Sequence, residues 1–112
     1  MSAPQFDELL SGLSSKGIDV LKVTLAESWD SFTTQERSDA MKLMFTLARA
    51  RLYEIAGRDV SDFLPVLEAA FAQWAVVGKQ AVADGVKTAA TEVLGLGGAF
   101  AGSALAAFLR SK

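Results

Sequence analysis

Apolar residues recur along this chain at steps of three and four, the spacing that lines one side of an α-helix. After Pro4 the first stripe is Phe6, Leu9, Leu10 and Leu13. A second stripe, Ile18, Leu21, Leu25, Trp29 and Phe32, starts about 140° out of register with it at 100° per residue. Between them lies SGLSSKG, rich in poor helix formers. Offset and composition together predict a break near Ser14–Gly17 and two short helices. TTQE at Thr33–Glu36 then spells a capping box, with Thr33 as N-cap and Glu36 at N3. The helix it opens is predicted to run to about Ala56. Its apolar face is Met41, Met44, Phe45, Ala48, Leu52 and Ile55, widened by Leu43 and Leu47, and Lys42, Thr46, Arg49 and Tyr53 stand opposite. Gly57 is placed to take the left-handed conformation that ends a helix.

Ser61 is the next candidate N-cap, Asp62 complements the helix dipole, and Pro65 falls in the first turn, where its missing N–H costs little. From there the pattern predicts one long helix, Asp62 to about Leu94. Its apolar face is Phe63, Val66, Leu67, Ala70, Phe71, Trp74, Val77, Ala81, Val82, Val86, Ala89 and Val93. Gly95, Gly97 and Gly98 interrupt it, since each interior glycine costs up to about 1 kcal/mol relative to alanine. A final helix is expected from Ala99 to about Arg110. No alternating run or hairpin turn signal competes with these elements. The expected fold is all-α: a bundle of three to five helices with a long, glycine-kinked C-terminal helix. Residues 1–60 supply the N-terminal helices. Residues 61–112 form the long C-terminal region, with an apolar Gly/Ala-rich tail at 93–109.

The tail changes the picture most. GLGGAFAGSALAAFL, Gly95 to Leu109, carries no charge. Small residues recur on one side of the C-terminal third at Gly78, Ala81, Gly85 and Ala89, with Gly95 at the break, and resume as Gly98, Gly102 and Ala106. Such a strip lets another backbone approach closely, in a bilayer or in a protein core. As one helix, the uncharged run Val93–Leu109 would be about 25 Å long. That is the lower limit for a hydrocarbon core about 30 Å thick. Arg110 and Lys112 stand behind the run, and Glu92 stops its extension on the other side.

Composition narrows the chemistry. A net charge of −2 argues against a nucleic-acid binder. The mild basic enrichment Lys42, Arg49, Arg51 and Arg58 reads as a solvated helix face. The chain has no cysteine and no histidine, so disulfides, imidazole bases and the usual zinc sites are ruled out. Its carboxylates sit mostly where helix starts favour them, and the glycine-rich run lacks the Lys-Ser/Thr of a phosphate loop. No catalytic, cofactor-binding or metal-ligating set emerges, and no small-molecule substrate is implied. The acidic start MSAPQFDELL lacks the basic and apolar regions of a secretory leader, so the expectation is synthesis in the cytoplasm without leader cleavage.

The reading that follows is a non-enzymatic helical assembly protein. It would form a homo-oligomer, or dock into a larger complex, through its small-residue C-terminal helix. Short, cysteine-free helical chains of this composition are common among phage and virion structural components. The alternative is a membrane-anchored or pore-forming protein of holin-like layout, inserting residues 93–109.

Overall fold

The computed structural model describes residues 3–76, 79–95 and 103–111. They form α1 (Ala3–Leu25), α2 (Glu27–Asp30), α3 (Thr34–Ile55), α4 (Phe63–Val76), α5 (Gln80–Val93) and α6 (Ala104–Ser111). The chain is all-α, and the described residues contain no strand. They hold six helices where three to five were expected.

The break expected at Ser14–Gly17 is absent: α1 is one continuous helix. Its buried positions are Leu10, Ser14, Gly17, Leu21 and Leu25, all within about 80° of arc at 100° per residue. The serine and glycine that read as breakers are the floor of a wide apolar face, and Leu13 and Ile18 are its two half-buried edges. Gly17 is small because α3 lies against it. A Cβ there would stand 2.7 Å from both Cγ and Sδ of Met44. Tertiary contact thus overrides a weak local propensity.

α1 ends at Ala26, whose backbone (φ 48, ψ −122) lies in a region that alanine rarely adopts. The turn starts the single turn of α2 and delivers Trp29 to the core, where it meets Phe32 at 6.0 Å between centroids. Arg37 on α3 caps α2, donating Nε to the Trp29 carbonyl (3.1 Å) and Nη2 to that of Asp30 (3.0 Å). Ala26 is exposed, so Ala26→Gly uncovers little apolar surface. It should relieve strain of about 1–3 kcal/mol at the smaller entropic cost of glycine, about 0.5–1 kcal/mol. The expected result is a thermal midpoint about 4 °C higher by calorimetry; a lower midpoint would mean that Ala26 is not strained.

The capping box opens α3 as predicted. Glu36 N–H donates to Thr33 Oγ1 (3.1 Å), and Thr33 N–H donates to Glu36 Oε1 (3.0 Å). Gly57 lies at φ +78 beyond the other end. The buried face of α3 is Ala40, Leu43, Met44, Leu47, Ala48, Ala50, Arg51 and Leu52. Phe45 and Ile55, expected in the core, are exposed instead. Arg51, expected on a solvated face, lies in the core.

The predicted helix from Asp62 to Leu94 is two helices, α4 and α5. Lys79 leaves helical geometry (φ −111, ψ 48), and its N–H donates to the Trp74 carbonyl at 2.9 Å, a six-to-one bond that closes a helix end. Ser61 does not cap α4 with its hydroxyl, which donates to Asp59 Oδ2 (2.8 Å). Val66, expected inward, is 60% exposed. One core cluster draws on both the 1–60 and the 61–112 segments, with Leu21, Met44, Leu47, Leu67, Val86 and Leu105 fully enclosed.

Candidate interaction surface

The small residues singled out from sequence do not form one strip. Gly85 and Ala89 face inward on α5, in a buried row with Val82, Ala83, Val86 and Ala90. What covers this row is α1 of the same chain, the helix with which α5 makes its most extensive contact. The fit is close: a Cβ on Gly85 would lie 2.7 Å from Leu25 Cδ2 and 3.3 Å from Leu25 Cγ. Ala81 points to solvent. Gly95 is exposed at φ +66, with nothing within 4 Å of an added Cβ, and stands just past the end of α5. Ala106 is buried on a different helix, α6. Gly78, Gly98 and Gly102 lie outside the described residues.

The end of the tail, α6, is likewise folded onto the body. α6 turns Leu105, Ala106, Phe108 and Leu109 inward, and the Phe108 ring lies 6.2 Å from that of Phe71 on α4. Sequence reasoning missed the pair that holds it. Arg51, only 4% exposed, donates Nε to the carbonyl of Leu94 at the end of α5 (3.0 Å). Its Nη1 meets Glu54 Oε1 at 2.7 Å. The other oxygen of Glu54 accepts the N–H of Leu105, in the first turn of α6 (3.2 Å). Ser103 completes that end, its Oγ accepting the N–H of Ala106 (3.0 Å). One buried ion pair therefore grips both ends of the connection between α5 and α6. It satisfies a helix C-terminal carbonyl and a helix N-terminal amide, each with the charge sign that the dipole favours. The signal was present in the sequence, because Arg51 stands four residues after Leu47 and seven after Met44, which puts it on the apolar face.

A second feature is a groove of about 390 Å³ between α3 and α4. Leu43, Leu67, Ala70 and Trp74 supply apolar lining, and Asp39, Lys42, Thr46 and Gln73 line it with polar groups. At one end Lys79 pairs with Glu36 Oε2. The Lys79 hydrogen bond and then the Thr33 N–H hold the Glu36 carboxyl below its ordinary value of 4.5. A carboxylate lowered in the fold adds stability above its unfolded value, and that contribution is lost as pH falls through the folded value. Glu36→Gln should therefore lower the thermal midpoint at pH 7, with a gap to wild type that narrows as pH falls below about 4.5. A gap of constant size across a pH series would assign the effect to the cap geometry alone.

The remaining basic residues of the mid-chain set, Lys42, Arg49 and Arg58, are exposed, as expected. Arg58 lies 4.8 Å and Arg49 5.6 Å from the Tyr53 ring centroid, and Arg49 Nη2 donates to the phenol oxygen (3.3 Å). That hydrogen bond, with the charges of Arg49 and Arg58, holds the Tyr53 phenol below its ordinary value against the opposing effect of burial. Among the described residues no group of three acidic, histidine or cysteine side chains is placed to hold a metal ion. None of the described helices is long and apolar enough to cross a membrane. No protein-family model, curated protein or solved structure matches this chain.

Proposed function

We propose that this chain is a non-enzymatic helical assembly protein that self-associates, or docks into a larger complex, through its C-terminal region. The observation that carries the reading is the receptor for α6. A short apolar helix is recognised through its first-turn amide, by Glu54 of a buried pair, and through its inward side chains. That is the chemistry of a docking site for a helix. Gly97 and Gly98, where the sequence puts the kink together with Gly95, lie outside the described residues. The analogy to phage and virion structural components rests on composition alone.

The α5 row beneath α1 is not the contact surface in this proposal, because the chain's own first helix fills it. Light scattering on the eluting protein, with and without detergent, tests the reading. A discrete multiple of 11.9 kDa in plain buffer, rising with concentration, is the expected result. A mass of 11.9 kDa at every concentration overturns self-association. Material that sediments with membranes and leaves them only in detergent would favour insertion of residues 93–109 instead.

A further inference from the structure

We propose that the groove between α3 and α4 binds a small amphipathic carboxylate, an apolar chain that ends in an anionic head. The proposal goes beyond the assembly reading and does not depend on it.

Three observations lead to it. The first is the lining. A volume of about 390 Å³ falls in the range of small-molecule sites, and Leu43, Leu67 and Trp74 give the groove the apolar walls such sites have. Val66, 60% exposed, adds an apolar side chain left open to water. The second is an unused donor. Trp74 is only 7% exposed, and a tryptophan so enclosed usually gives its indole N–H to an acceptor. Among the described residues this N–H has none. No fully buried side-chain nitrogen or oxygen there lacks a partner, so the indole N–H reaches solvent, and the groove is the opening that Trp74 lines.

The third is charge. Among the described residues Lys42, also on the groove, forms no ion pair, whereas Lys79 is paired with Glu36. That pair sets the start of α3 beside the C-terminal end of α4, so the two helices run antiparallel. At 1.5 Å per residue, Lys42 and Trp74 then stand level, each roughly 8–9 Å along the groove from the pair, and Leu67 and Val66 stand roughly 18–20 Å from it. A carboxylate between Lys42 and Trp74 takes the ammonium and the indole N–H, and its chain covers Leu67 and Val66. Asp39 lies nearer the pair and accepts from Gln35 Nε2 (2.8 Å). Its charge opposes an anion, which gives the test a second sign.

Decanoate is the probe, with decanol and acetate beside it, each titrated below micelle formation into isotope-labelled protein. The readout is the indole N–H resonance of Trp74, and that of Trp29, which does not line the groove, is the internal reference. The expected result is a saturable Trp74 shift with decanoate and none with acetate. Lys42→Gln should weaken decanoate about fivefold and Asp39→Asn should tighten it about twofold, with decanol unchanged in both. Lys16→Gln, exposed on α1, should change nothing. No saturable Trp74 shift at millimolar decanoate overturns the site. Decanoate and decanol binding alike, with neither substitution felt, overturns the carboxylate head. A Trp74 shift that follows protein concentration with no probe present puts a second copy in the groove and overturns the proposal as well.

Discussion

Gly85→Leu should lower the thermal midpoint by about 12 °C. Even the first carbon of a side chain at this position would stand 2.7 Å from Leu25 Cδ2, and leucine adds three more carbons behind it. Leu25 has little room to yield, since it closes α1 immediately before the left-handed Ala26 turn. The remaining response is for α1 to lift off α5, loosening the largest helix–helix contact in the molecule. Overpacking of this kind costs about 3 kcal/mol. For a domain of this size, that corresponds to roughly 4 °C per kcal/mol. Against a total stability of about 5–15 kcal/mol the loss is large. Gly12→Ala is the matched control. Gly12 is exposed on α1 with nothing within 4 Å of an added Cβ, so the variant should gain about 1 kcal/mol of helix propensity. Opposite signs for the two variants, measured by calorimetry, are the expected outcome. A Gly85→Leu protein as stable as wild type would show that α1 does not pack on α5 as described.

Arg51→Met should cost about 3 kcal/mol, and the loss should concentrate at α6. The methionine keeps most of the apolar stem but removes the guanidinium. The Leu94 carbonyl then loses its 3.0 Å donor, and the Glu54 carboxylate is left largely enclosed without its partner. Breaking one side of a buried pair is expensive because the remaining charge has already lost its water. Glu54→Gln should be milder, about 1 kcal/mol, since an amide oxygen can still accept a hydrogen bond. Native-state hydrogen exchange distinguishes a local clasp from general support of the core. In Arg51→Met the Leu105 and Ala106 amides should exchange about a hundredfold faster. Val86 and Ala89 on α5 should change much less. A uniform acceleration across the chain would assign Arg51 to the core as a whole and remove the physical basis for a separately docked α6.

Some of this molecule could be read from short stretches. The all-helical class follows from apolar spacing at three and four. The start of α3 follows from Thr33 and Glu36, whose reciprocal bonds span three residues, and its end from Gly57. Elsewhere, stretches of the same length misled. SGLSSKG carries poor helix formers, yet Ser14 and Gly17 lie on a buried face, and what favours the small residue at Gly17 is Met44 on another helix. Phe45 and Ile55 fit the apolar stripe of α3 and are exposed, because Phe45 stands at the edge of the buried face, beyond Leu52, and Ile55 is the last residue of the helix.

The same contrast holds for the candidate surface. The amino-acid sequence alone determined the all-α class, where α3 is capped and that the C-terminal third is built of small and apolar residues. Each of these depends on partners within a turn or two of the chain. Only the tertiary structure decided that α1 covers the Gly85–Ala89 row, that the long C-terminal helix divides before Gln80 and that Arg51 and Glu54 grip the tail. Those outcomes depend on groups far apart in sequence, such as Arg51 with Leu94 and Glu54 with Leu105. Their energies come from desolvation and close packing, which exist only after the helices have met.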